Sequence, residues 1–187
     1  MIYKYNIIII INTKQYNKYI IFSIFAVFAI CHSPFGMKIT WTTKHFTQLS
    51  SQQLYQILRL RSQVFVVEQK CLFLDLDNHD QNAYHILGQN ADGNLIATSR
   101  IFSPGIIYPN HQSIGRVVCA PKYRNNGIGK HLMAHSILEC NRIFVNIQPI
   151  KIGAQYQLLR FYESFGFESV GEKYEEDGID HIEMIRP

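Results

Sequence analysis

Acidic side chains are missing from the first 67 residues of this 187-residue chain, and the first of them is Glu68. The formal charge of +4 is therefore unevenly laid out. Lys4, Lys14 and Lys18 precede Met37, and the remaining fifteen Lys and Arg face fourteen Asp and Glu. A body that close to neutral does not read as a nucleic-acid-binding surface. Metal-type cysteine spacing is missing too. Cys31, Cys71, Cys119 and Cys140 show no CxxC and no Cys/His spacing that would make a metal site, so we expect no metal and no disulfide framework. Isolated within apolar runs, they read as reduced thiols of a cytoplasmic protein. Only 17% of residues are charged and 47% are apolar, which excludes disorder and a coiled coil. With no repeat and no linker inside residues 38–187, one domain with a sizeable core is expected.

Residues 1–36 stand apart as a leader, with 37–187 as the domain. The run 19–31 (YIIFSIFAVFAIC) follows Lys14 and Lys18 and has the look of a signal-peptide core, but it is short for a membrane span. No small-x-small cleavage pattern follows it. Ile, Asn, Lys, Tyr and Phe make up about three quarters of the first thirty residues. These residues have AT-rich codons, so an upstream start, with Met37 as the working one, is favoured over a membrane anchor.

The remainder predicts strand, helix, three strands, helix, strand, helix and two strands. Segment 38–43 is β-branched and alternating. Ser50 and Gln53 form a capping box before a helix whose expected face is Leu54, Ile57, Leu58, Arg61 and Phe65. Segments 84–89 and 95–102 flank an Asp92-Gly93 turn, 113–120 stops at Pro121, and 150–154 is a short strand. A helix over 155–165 carries Leu158, Phe161, Tyr162 and Phe165 and is closed by Gly166. Two closing strands flank Asp177-Gly178. The pattern gives an α/β (α+β) domain around one sheet.

Segment 114–133 carries the chemistry. A strand, a turn with Gly127 and Gly129 and a helix start offer unpaired N–H groups to a phosphate, and Arg124 and Lys130 flank them with positive charge. The glycines allow positive φ and close backbone approach. Neither a P-loop (GxxxxGK[ST]) nor a GxGxxG fingerprint is present.

Pro121-x-x-Arg124-x-x-Gly127-x-Gly129 resembles the acetyl-CoA motif of the GNAT acetyltransferases. Phe161-Tyr162-x-x-Phe165-Gly166-Phe167 is similar to that family's second motif. Arg61-Ser62-x-Val64-Phe65 and Tyr174-Glu175-Glu176-Asp177-Gly178 resemble its ElaA-like branch. The likeness spans 38–187, with Asp180 as a departure where related sequences would carry Pro. It implies a GNAT fold: a mixed, mostly antiparallel sheet with a splayed parallel pair, here 113–120 and 150–154, and flanking helices. It implies acetyl-CoA as co-substrate. Val117, Val118 and Cys119 would pair with its pantetheine arm, and Arg124, Asn125, Asn126, Gly127, Ile128, Gly129 and Lys130 would hold its pyrophosphate. A backbone N–H near Val118 or Cys119 would face the oxyanion. Tyr162 stands where the family's general acid serves the leaving thiolate.

Other readings compete residue by residue. Tyr162 also suits a core stripe, and Cys119 reads as a buried strand thiol rather than a nucleophile. Arg116 is either a snorkelling cation or a group facing the acceptor cleft. Candidate bases are Glu68, Asp80, His85 and His181. Asp75, Asp77 and Asp80 read as a solvated run, or one that attracts a cationic amine; the glycine and glutamate of a calcium loop are missing. The expected partner is a small-molecule or peptide amine, with neither nucleic acid nor membrane, and a homodimer stays open. A non-catalytic acyl-CoA-binding module and an acyl-homoserine-lactone-synthase-like enzyme are the rival functions.

Overall fold

The computed structural model describes residues 30–32, 38–144 and 148–187. Strands β1 (Ile30–His32), β2 (Lys38–His45), β3 (Tyr84–Gln89), β4 (Leu95–Phe102), β5 (Gln112–Cys119), β6 (Ile150–Gln155), β7 (Glu168–Glu176) and β8 (Ile179–Arg186) form one sheet. Its order is β1-β2-β3-β4-β5-β6-β8-β7, and every neighbouring pair is antiparallel except β5–β6. The sheet gains a strand from the expected leader, because Ile30 to His32 pair with Thr40 to Lys38. Positions 19–29 of the leader's apolar run lie outside the described residues.

Helix α1 (Ser51–Arg61) starts at the expected capping box: Ser50 Oγ accepts from the Gln53 N–H at 3.2 Å, and Gln53 Oε1 accepts from the Ser50 N–H at 3.1 Å. Its buried positions are Ile57, Leu60, Arg61 and Val64, at i, i+3, i+4 and i+7. Ile57 and Arg61 of the expected face are thus buried, while Leu60 and Val64 rather than Leu54, Leu58 and Phe65 complete the stripe. A π-helical stretch (Ser62–Glu68) prolongs α1, with the Gln69 N–H donating to the Val64 carbonyl at 2.9 Å. Helix α2 (Ile128–Ile143) buries Leu132, Met133, Ile137 and Cys140 in the main core. Leu60 and Val64 of the α1 segment instead pack with Val118 in a separate cluster. Because successive strand residues face opposite ways, Val118 turns toward α1 while Val117 and Cys119 join the main core. The helix expected over 155–165 is shorter: a 3₁₀ turn (Tyr156–Leu158) runs into α3 (Leu159–Glu163), and left-handed Gly166 ends it.

The acidic run is not a solvated loop. Asp75, Asp77 and Asp80 meet three arginines, one each from α1, β4 and β5. Arg61 is 1% exposed and binds Asp75 Oδ2 at 2.8 Å and Asp80 Oδ1 at 2.7 Å. Arg100 reaches the same Asp80 Oδ1 at 2.9 Å and pairs with Asp77 as well. Arg116 binds Asp75 Oδ1 at 2.7 Å and Asp77 Oδ2 at 3.3 Å. Three charges of each sign cancel, which is what permits them to be buried. Burial works against the charge of Asp77 and Asp80, but the arginines outweigh it: Arg100, with Arg116, for Asp77, and Arg61 and Arg100 for Asp80. Both carboxyls are held below the ordinary range.

A Cβ at Gly88 would lie 2.6 Å from the ring of Trp41, its cross-strand partner. Gly88→Ala should cost about 2 kcal/mol in urea denaturation, and an unchanged midpoint would contradict the contact. Asp80→Asn leaves two buried guanidinium groups short of charge and should cost about 3 kcal/mol at pH 7. Because the folded-state pKa is depressed, this stabilisation is present above the unfolded value of about 3.9 and fades as the pH falls below it. The Asp80→Asn variant should therefore lose less stability than the parent between about pH 5 and 3, and parallel profiles would refute the linkage.

Candidate active site

The site starts from a bulge. Across β4–β5, Thr98 faces Val118 and Arg100 faces Gly115, so β5 spends one residue more than β4 over that span. The extra length falls at Arg116, whose φ is +50°. A non-glycine residue adopts this left-handed conformation only when its surroundings hold it. Here the guanidinium is fixed on Asp75 and Asp77 and lies 5.3 Å from the centre of the Phe73 ring. The sequence left Arg116 between two readings, and the structure makes it both ion-paired and a border of the cleft.

β5 has already parted from β6 after Ser113, ahead of the bulge. Their parallel pairing is limited to Gln112 with Ile150 and Ser113 with Lys151. The Ala120 N–H donates to the Ile96 carbonyl at 2.8 Å, which puts Ala120 in a hydrogen-bonded pair with β4. By the alternation of an antiparallel ladder, Val118 also spends its backbone groups on β4, whereas those of Val117 and Cys119 point toward β6. The Cys119 carbonyl accordingly accepts from Arg124 Nε at 3.1 Å. Of the three backbone positions expected to meet a pantetheine arm, Val117 and Cys119 thus face the gap and Val118 does not.

A cavity of about 570 Å³ occupies the gap. It is bordered by β5 from Ile114 to Cys119, by Gly153 and Gln155 of β6, by Tyr162, and by the β7–β8 hairpin through Glu176, Asp177 and His181. Of the expected site residues, Val117, Val118, Cys119, Arg124, Glu68, Tyr162 and His181 meet here. Asn125, Asn126, Gly127, Ile128, Gly129 and Lys130 do not border the cavity and form the turn that follows Arg124. Gly127 is the N-cap of α2, with φ +75°, and Asn125 is left-handed as well, at +63°. Gly129 lies inside the helix rather than in a left-handed turn, and a Cβ there would sit 3.9 Å from Cys119 Sγ. The first N–H groups of this sixteen-residue helix have no partner within it and carry its positive dipole end.

Tyr162 is 7% exposed, with Phe161 and Phe167 edge-on to its ring. Its hydroxyl has no hydrogen-bond partner among the described residues. Burial, with a smaller contribution from Cys119, pushes its pKa up to about 12, so it is a protonated donor at neutral pH. Burial likewise pushes the Cys119 thiol up to about 11 against the pull of Arg124. A thiol so held is not a nucleophile. His181 Nδ1 lies 2.8 Å from the Ile179 carbonyl, which can only accept. Nδ1 therefore carries the hydrogen of the neutral ring, and Nε2 keeps its lone pair. The ring stacks on Tyr174 with centroids 5.9 Å apart.

Two candidate bases lie elsewhere. Asp80 is locked between arginines, and His85 is 1% exposed with Nε2 on the Asp80 carbonyl at 3.1 Å. Glu68 borders the cavity but forms a two-point ion pair with Arg124, whose hydrogen bonds hold its carboxyl below the usual range. No group of His, Cys, Asp and Glu that could hold a metal occurs among the described residues. No described helix is long and apolar enough to cross a membrane.

Comparison with known proteins agrees with this geometry. A family model described as an acetyltransferase (GNAT) domain matches residues 63–186. Protein ElaA of Escherichia coli is 42% identical over 151 residues, which is 79% of this chain and 96% of that protein. A UPF0039 protein of Synechocystis sp. is 39% identical over 149 residues, 80% of this chain and 96% of its own. Among solved structures, an acyl-CoA N-acyltransferase from Pseudomonas aeruginosa superposes with a TM-score of 0.75 at 36% identity, covering 80% of this chain and 99% of that one. The structure of Escherichia coli ElaA gives 0.73 at 40%, with the same coverage. A splayed parallel pair, a glycine turn into a helix and a buried tyrosine beside the gap, together with these relatives, show that this chain belongs to the GNAT family of acetyltransferases, on the branch that contains ElaA.

Proposed function

We propose that the chain transfers an acetyl group from acetyl-CoA to a primary amine by direct attack, with Tyr162 as general acid and His181 as general base. The observation that carries the reading is a single cavity bordered by the free edge of β5, the unpartnered hydroxyl of Tyr162 and the open Nε2 of His181. The residues present suit the co-substrate. Val117 turns its backbone groups into the gap and can pair with the amides of pantetheine as an added strand would, while the Cys119 carbonyl is held by Arg124 and its N–H is left for the thioester oxygen. The N–H groups from Asn125 to Lys130 suit the pyrophosphate, with Lys130 exposed beside them.

The chemistry follows from these placements. His181 Nε2 takes a proton from the acceptor ammonium, since only the neutral amine has the lone pair that attacks the thioester carbonyl. The Cys119 N–H, aimed at the gap, stabilises the negative charge that develops on the carbonyl oxygen. As the C–S bond breaks Tyr162 gives its proton to the departing sulfur, so the leaving group is a thiol, and the second proton shed by the attacking nitrogen restores the phenol. Glu68 is assigned a holding role, fixing Arg124 against the Cys119 carbonyl. Three free cysteines among the described residues fit a reducing cytoplasm, where acetyl-CoA is available.

Tyr162→Phe should lower kcat about 100-fold in an assay of CoA release with an accepted amine, while acetyl-CoA affinity stays within about threefold. His181→Ala should be most defective near pH 7 and recover as the pH approaches the amine's own pKa of about 10, where no base is required. A defect that is constant with pH would remove His181 from the role. Cys119→Ala should keep turnover within about threefold, and intact-mass measurement should find no acetyl group left on the enzyme.

A further inference from the structure

We propose, building on the acetyl-transfer reading, that the acceptor is a short aliphatic diamine or polyamine whose second ammonium is held by Glu176 and Asp177. The register of the β7–β8 hairpin sorts its side chains. Tyr174 faces His181 and Glu176 faces Ile179, so these four share one side of the ribbon, and Ile179 and His181 border the cavity. Glu175 and Asp180 fall on the other side, where Asp180 is paired with Lys173 at 3.0 Å.

Charge accounting then isolates two groups. The three aspartates of the acidic run are matched by three arginines, Glu68 is matched by Arg124, and Glu183 is matched by Lys151 at 2.8 Å. Glu176 and Asp177 border the cavity with no ion pair among the described residues. Cations within this wall are therefore already neutralised, and a net negative field remains at the acceptor end.

Two further observations point to a ligand there. Tyr162, nine-tenths buried, borders the same cavity, and its hydroxyl has no hydrogen-bond partner among the described residues. Tyr174 lies between Glu176 and His181 on the shared face, its hydroxyl over Gly153, where a Cβ would sit only 2.9 Å from it. An aromatic ring next to free carboxylates suits an alkyl ammonium. The strand rise puts Ile179, opposite Glu176, roughly 7 Å along the ribbon from His181. That span is reached by a short alkyl chain with an amine at each end, one deprotonated at His181 and one held at Glu176.

The test compares 1,5-diaminopentane with n-pentylamine as acceptors, by kcat/KM for CoA release with the full chain. The diamine should be preferred about tenfold or more, and Glu176→Gln or Asp177→Asn should shrink that ratio severalfold. Glu175→Gln removes the same charge one residue away on the opposite face and should leave the ratio as it is. Equal rates for the two amines, a ratio unmoved by both cavity-side variants, or preference for a lysine peptide over the diamine would overturn the proposal. If neither amine is acetylated, titration with acetyl-CoA separates the failures. Binding without diamine turnover overturns this inference alone, and no binding overturns the acetyl-transfer reading beneath it.

Discussion

The ion-paired bulge at Arg116 is the constraint on which the rest of the site depends. Parallel neighbours ordinarily stay paired along their length, and a gap between them leaves backbone groups unsatisfied. Here β5 and β6 stay paired for only two positions, and the left-handed bulge at Arg116 follows within the unpaired stretch. The Arg116 side chain is anchored through Asp75 and Asp77 to the same carboxylates that bind Arg61 and Arg100. The hub thus ties α1, β4 and β5 to one loop, and it fixes the edge that a co-substrate would use. Buried ionic hubs are a weak route to stability compared with apolar packing. Their geometric demands are strict, however, and a site that needs a bent strand gains from that strictness.

Burial assigns the chemistry of the groups around the gap. Tyr162 and Cys119 are both driven toward their neutral forms, which makes the first a proton donor and leaves the second inert. Glu68 is driven the other way by Arg124 and is a poor proton acceptor. His181 differs from all three. Its tautomer is set by a single carbonyl on its own strand, and its ring borders the cavity. The proposed acid and base come from different elements, α3 and β8, and both border the one cavity.

Much of this could be read from residue order. The capping box at Ser50, the hairpin at Asp92-Gly93, the stop at Pro121 and the glycine turn into α2 are local signals, and each formed where its chemistry demanded. The pairing of segments 113–120 and 150–154 came from resemblance rather than periodicity, and the splay itself has no sequence signature apart from an arginine within an apolar strand. The ion-pair hub was illegible because its partners lie 14 to 41 positions apart, and an acidic run looks the same whether solvated or matched. Arg61 lies on the expected face of α1, but its full burial depends on carboxylates of a distant loop that meet it there.

Acetyl-CoA binding is the measurement closest to the central proposal, that the gap bordered by Arg116 and the turn at Gly127 together hold the co-substrate. Calorimetric titration of acetyl-CoA into the folded protein should give micromolar-range affinity, roughly 8 kcal/mol. The affinity should weaken markedly in Gly127→Glu, whose carboxylate would face the pyrophosphate. Absence of binding by a folded chain, or binding that Gly127→Glu leaves untouched, would contradict the account.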